Sequence, residues 1–142
     1  MSDVLVTEEL QGRMSAMLDM LNEGRILDTL VEFYAPDACV YENDNLFAES
    51  RAEAYARQQP FVEGCSGVYG AVRAIYRDLG RGIVVLENKT RYDHPDYGPG
   101  EIDGVHVLYW YEGLITREEY FSGARAAETA NFWSSLKRSA TS

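Results

Sequence analysis

The sequence is short of cysteine, histidine and positive charge, and each shortage excludes a class of function. Only Cys39 and Cys65 occur, with no C-x-x-C spacing, so they read as reduced, buried thiols rather than a disulfide framework. The two histidines, His94 and His106, match no metal-binding spacing with Asp93, Asp96 or Glu101, and no metal is expected. Lys and Arg number 13 against 23 Asp and Glu, a formal charge of −10 at pH 7, and the basic residues are scattered. Such a chain repels phosphate backbones and anionic lipid, which argues against nucleic acid or a membrane as partner. A Gly-rich phosphate loop, a Cys-His nucleophile pair and a serine elbow are all lacking, and no cofactor is expected. The start Met1-Ser-Asp-Val-Leu-Val-Thr-Glu-Glu is acidic and poor in apolar residues, unlike a signal peptide, and predicts a cytoplasmic protein.

What is present is enough for one domain over 1–142, since a chain of this length buries about 70% of its unfolded surface. Ten tyrosines exceed what such a core needs, and their rings suit the wall of a pocket. Thr7 can cap a first helix in which Leu10, Met14, Met17, Leu18 and Leu21 share a face, ended by Gly24. A second helix is predicted over about Arg25 to Tyr34, stopped by Pro36-Asp37, and a short strand over Ala38 to Asn43. Ser50 with Glu53 three residues on is a capping box for a third helix, ending or kinking near Pro60. The period then changes to two. Val68 to Leu79, Gly82 to His94, Ile102 to Tyr111 and Leu114 to Phe121 read as a meander, followed by a helix at about 124–136. Early helices followed by long antiparallel strands predict an α+β fold, a curved sheet wrapped around the helices with a ligand site at its mouth.

Two stretches carry a family resemblance: Leu30-Val-Glu-Phe-Tyr-Ala-Pro-Asp-Ala-Cys-Val-Tyr-Glu, and Val105-His-Val-Leu-Tyr-Trp-Tyr-Glu-Gly-Leu-Ile-Thr-Arg-Glu-Glu-Tyr-Phe. Together they resemble the nuclear transport factor 2-like superfamily, SnoaL-like branch, over roughly residues 7 to 122. The resemblance implies the cone-shaped cystatin-like α+β barrel and an apolar small-molecule ligand. Within that group the motifs are most similar to limonene-1,2-epoxide hydrolase, through Tyr41-Glu42-Asn43, Arg91-Tyr92-Asp93 and Glu118-Glu119-Tyr120-Phe121. Glu119 stands where that family has Asp, and Glu118 replaces the preceding Arg.

The hydrolase resemblance implies that Asp93 is the acid, Glu119 the base, Arg91 the bridge between them, and Tyr41 with Asn43 the holders of water. One proton shared over that cluster makes it neutral, which suits an apolar pocket. Residues two apart on a strand point the same way, so each pair can share a face, and Glu119 would share one with Ile115 and Phe121. Against this stands the alternation Glu87, Lys89, Arg91, Asp93, which also describes a solvated strand face. A second resemblance, to ketosteroid isomerase, puts Glu42 at the position of a proton-moving Asp, with Met17 and Val107 where that family has Tyr and Asp. Tyr41 and Glu42 cannot both point inward from a regular strand. A binding domain without catalysis is the remaining alternative. In Tyr109-Trp110-Tyr111, alternation sends Trp110 to one face and the tyrosines to the other, and an apolar outer face implies a homodimer formed sheet to sheet.

Overall fold

The structure, a computed structural model, describes residues 3–124. The helix expected at about 124–136 therefore lies outside the described residues. Helix α1 (Asp3–Asn22) already includes Thr7, so the helix starts earlier than the cap reading placed it. Leu10, Met14 and Met17 are its buried stripe. Gly24 follows with φ of 76°, and a Cβ there would lie 1.9 Å from the Val68 carbonyl oxygen, so glycine serves both the turn and the close approach. Helix α2 (Ile26–Phe33) runs straight into strand β1 (Tyr34–Glu42).

Pro36 thus sits in a strand rather than ending a helix. It is tolerated because the register of β1 against its neighbour shifts between Tyr34 and Cys39, where ladder hydrogen bonds are interrupted. Strand β2 (Asn45–Ala48), which the sequence does not announce, pairs back on β1. Helix α3 (Arg51–Gly64) is capped as expected, with Ser50 Oγ accepting from the Glu53 N–H at 3.1 Å, and it continues through Pro60. Strands β3 (Gly67–Asp78), β4 (Ile83–His94), β5 (Gly98–Tyr111) and β6 (Leu114–Ser122) form the meander, with β5 beginning before the expected start at Ile102.

The six strands form one sheet in the order β2-β1-β6-β5-β4-β3. All neighbours are antiparallel except β1 and β6, which are parallel, so the sheet is mixed where an antiparallel one was expected. No hairpin joins β1 to β6, and helical and strand segments between them carry the chain back to enter in the same direction. The concave face packs Val84, Leu86, Leu108, Trp110 and Ile115 against Met14, Met17, Leu30 and Phe33 of α1 and α2. A separate cluster of Val85, Val105, Val107 and Phe121 occupies the other face, and all four are buried within one chain. Trp110 goes inward, Tyr109 outward and Tyr111 is exposed, as alternation required. Cys39 and Cys65 are free but half-buried rather than buried.

One irregularity decides which side chains face the cavity. Between β5 and β6, Tyr109 pairs with Arg117 and Trp110 with Ile115, leaving Thr116 as an extra residue. Such a bulge reverses the parity of the strand. Ile115 faces the core before it, and Glu118 and Tyr120 face the core side after it, while Glu119 and Phe121 turn outward.

Candidate active site

The residues of the epoxide-opening arrangement are not brought together. Arg91 lies on the outer face of β4 with its side chain 69% exposed, paired to Glu101 at 3.0 Å. Asp93 is exposed on the same face. Glu119 accepts from Arg117 Nη2 and from the Tyr109 hydroxyl, both at 2.9 Å, on the outer face of β6. Tyr41 is also outside, its ring under the Arg117 guanidinium at 4.5 Å. Asn43 sits in the β1–β2 turn at φ 48°, where its amide bonds the Ser122 hydroxyl and accepts from the Ser122 N–H. Strand alternation sends Arg91, Asp93 and Tyr41 outward, and the Thr116 bulge does the same to Glu119. The face that turns inward from β1 carries Val40 and Glu42, as the ketosteroid isomerase alternative required.

The cavity between α1, α3 and the concave sheet measures about 220 Å³, small beside the roughly 300–1,000 Å³ of pockets for drug-sized ligands. Its apolar wall comes from Leu21, Ile26, Phe47, Phe61, Val62 and Val68, its polar wall from the sheet. No Lys or Arg lines it among the described residues, whereas Glu42 and Glu118 do.

The polar wall is ordered by strand register. Glu42 on β1 stands opposite Tyr120 on β6, and Tyr120 opposite His106 on β5, so three polar side chains form one row across three strands. The Tyr120 and His106 rings approach to 4.8 Å. Tyr120 can lie over the sheet because residue 104 is glycine; a Cβ there would lie 2.5 Å from the Tyr120 ring. Burial, and then the negative charges of Glu42, Glu118 and Asp103, push the Tyr120 phenol up to about 12. It is therefore a neutral hydrogen donor at physiological pH.

Behind the row lies a buried chain. Glu118 accepts from the Tyr34 hydroxyl and faces His106 Nδ1, both at 2.5 Å, and His106 Nε2 faces Asn88 Oδ1 at 3.1 Å. The Asn88 amide nitrogen is directed at Thr90 Oγ1 (3.5 Å), which fixes its oxygen toward the histidine. Each imidazole nitrogen thus faces an oxygen, the Glu118 carboxylate at Nδ1 and the Asn88 amide oxygen at Nε2. Burial pushes the Glu118 carboxyl up, but the His106 charge and the hydrogen bonds from His106 and Tyr34 outweigh it and hold it below its ordinary range. Burial, then the adjacent Glu118 charge, holds the Tyr34 phenol well above its usual value, so it remains a donor.

The sequence offers His106 only as a residue without metal-ligand spacing, and Glu118 only as the replacement of an arginine. The signal available was the pairing of a histidine with a glutamate on neighbouring strands, but uniform alternation along β6 puts Glu118 on the wrong face. At the isomerase positions, Met17 is in the core and Val107 in the outer cluster, so the polar partners of Glu42 come from other strand positions. Among the described residues no group of three His, Cys, Asp or Glu is placed to hold a metal ion, and no described helix is long and apolar enough to cross a membrane.

No family profile and no curated protein sequence matches the chain. Solved structures do share its fold. AclR from Streptomyces galilaeus, assigned as a hydroxylase, is 15% identical with a TM-score of 0.66, over 87% of this chain and 96% of that one. A protein assigned as a SnoaL-like polyketide cyclase from Jannaschia sp. CCS1 is 15% identical with a TM-score of 0.66, over 88% and 92%. A protein of unknown function from Cytophaga hutchinsonii, described as nuclear transport factor 2-like, is 8% identical with a TM-score of 0.60, over 80% and 99%. The chain has the nuclear transport factor 2-like α+β fold, as the two motif stretches implied.

Proposed function

We propose that this protein is a small-molecule enzyme that moves a proton on an uncharged, largely apolar carbonyl compound. The observation that carries this reading is the row Glu42, Tyr120 and His106 on the wall of the cavity, backed by the buried Tyr34–Glu118–His106–Asn88 chain. Glu42 is the base. It takes a proton from the carbon beside the carbonyl, the C–H electron pair becomes the new C=C bond, and the carbonyl π pair moves to oxygen. Tyr120 donates a hydrogen bond to that oxygen, and His106 supplies a second donor through its Nε2–H once the ligand displaces its contact with Asn88. Return of the proton from Glu42 to another carbon completes an isomerisation or sets up ring closure.

The lining supports the ligand class. With Glu42 and Glu118 on the wall and no Lys or Arg lining it among the described residues, an anionic ligand would be desolvated next to like charge. Epoxide hydration by Asp93, Arg91 and Glu119 has no such support, because those groups stand on the opposite face of the sheet. A homodimer formed through the outer sheet face is part of the proposal, supported by the exposed ring of Tyr111.

The test is solvent deuterium exchange, read by mass spectrometry, on a panel of cyclic 1,3-diketones and enones. The wild-type protein is expected to accelerate exchange beside the carbonyl. Glu42→Gln should lose about 10²–10⁴-fold of that acceleration and Tyr120→Phe about 10²–10³-fold. Binding without exchange across the panel would leave a pocket without catalysis and sink the enzymatic reading.

A further inference from the structure

Phe61 lines the cavity from the α3 side and also lines a second, more open cleft of about 590 Å³ on its far side. That cleft is bounded by Arg57, Pro60, Tyr92, His94, Asp96 and Tyr97. One aromatic ring therefore stands between the two spaces. We propose that Phe61 is the residue that sets the length of the ligand, and that the cleft beyond it is an extension site for a linear apolar arm. This rests on the cavity being a ligand site, as proposed above.

The ring is held as a wall. It stacks flat on the His94 imidazole (5.3 Å, 3° between planes), meets Tyr92 edge-on at 5.1 Å and lies 6.1 Å from Tyr97. His94 is itself fixed: it is buried, and its Nδ1 accepts from the backbone N–H of Asp96 at 3.0 Å and of Tyr97 at 3.4 Å. The last turn of α3 presses on that imidazole, since a Cβ at Gly64 would lie 2.6 Å from Nε2. Pro60, just before Phe61, brings no N–H to that turn, so the carbonyl four residues back loses its helical partner there. Three ring contacts and a pinned histidine leave Phe61 no cheap second rotamer, so the cavity ends at its face. Removing the ring joins 220 Å³ to 590 Å³ without disturbing the row of Glu42, Tyr120 and His106 on the opposite wall.

The experiment is calorimetric titration with alkyl phenyl ketones of increasing chain length. For the wild-type protein, affinity is expected to rise with each methylene to a limit and then fall. Phe61→Ala should move that limit to longer chains, with at least a tenfold gain for the first ketone the wild type rejects, and Phe61→Trp should move it to shorter ones. Phe61→Leu keeps an apolar side chain in the aromatic cluster and must shift the limit in the same direction as alanine, so a poorly folding alanine variant does not protect the idea. An unchanged limit in folded Ala or Leu variants that still bind the short ketones overturns the role of Phe61 alone. Failure of the wild type to bind any member overturns the cavity reading itself, and this inference with it.

Discussion

Glu118 is the residue on which most of the site depends. Its carboxylate is buried, and it takes one hydrogen bond from Tyr34 and a charge-assisted one from His106. Losing the carboxylate removes two hydrogen bonds to a charged group, each worth roughly 1.5–3 kcal/mol, so Glu118→Ala should lose about 3–6 kcal/mol in urea unfolding. Tyr34→Phe removes only a hydrogen bond to a charged group and should cost roughly 1.5–3 kcal/mol. The pH dependence has a definite sign. The folded state holds the Glu118 carboxyl below its unfolded value, near about 4.3, so its stabilisation is complete above that pH and is lost as pH falls through the lower folded value. Urea midpoints measured from pH 7 down to pH 3 should therefore fall more steeply for wild type than for Glu118→Gln. Parallel profiles for the two would remove Glu118 from the account of acid sensitivity.

Among the elements, α3 is the most explicit in the sequence. Ser50 caps it through the Glu53 N–H, so Ser50→Ala should lose about 1 kcal/mol and Ser50→Asp should retain it, in the same unfolding assay. The capping box, the period-two strands and the glycine stop after α1 were all legible because each is a local rule. The direction of each face along β1 was legible only as a choice, since Tyr41 and Glu42 must oppose one another. What broke the reading was Thr116. A single extra residue in β6 reverses every side chain after it, turning Glu118 into the cavity and Glu119, which regular alternation would have put on the same face as Ile115, away from it. Nothing in Leu-Ile-Thr-Arg-Glu-Glu distinguishes a bulged strand from a regular one, because the bulge is defined by the partner strand. The parallel pairing of β1 with β6 is likewise invisible locally, and it is what puts Glu42 beside Tyr120.

For the whole molecule, the formal charge of −10 opposes self-association. The outer valines and Phe121 are already buried within one chain, so a second copy would gain less apolar area than the sequence pattern implied. The proposed homodimer should accordingly be salt-dependent, with a light-scattering mass that rises toward two chains between low and about 0.5 M salt as repulsion is screened. A monomer mass throughout would remove the dimer. The strand order has a separate consequence, in time. Glu42 lies on an early strand and Tyr120 and His106 on the last two, so the proposed row exists only after the chain has closed the long loop between β1 and β6. Contacts of that sequence separation form late and slowly. A nascent or truncated chain that has made β1, the helices and even the β3–β4 hairpin has no site at all, and ligand binding becomes a report that folding has finished.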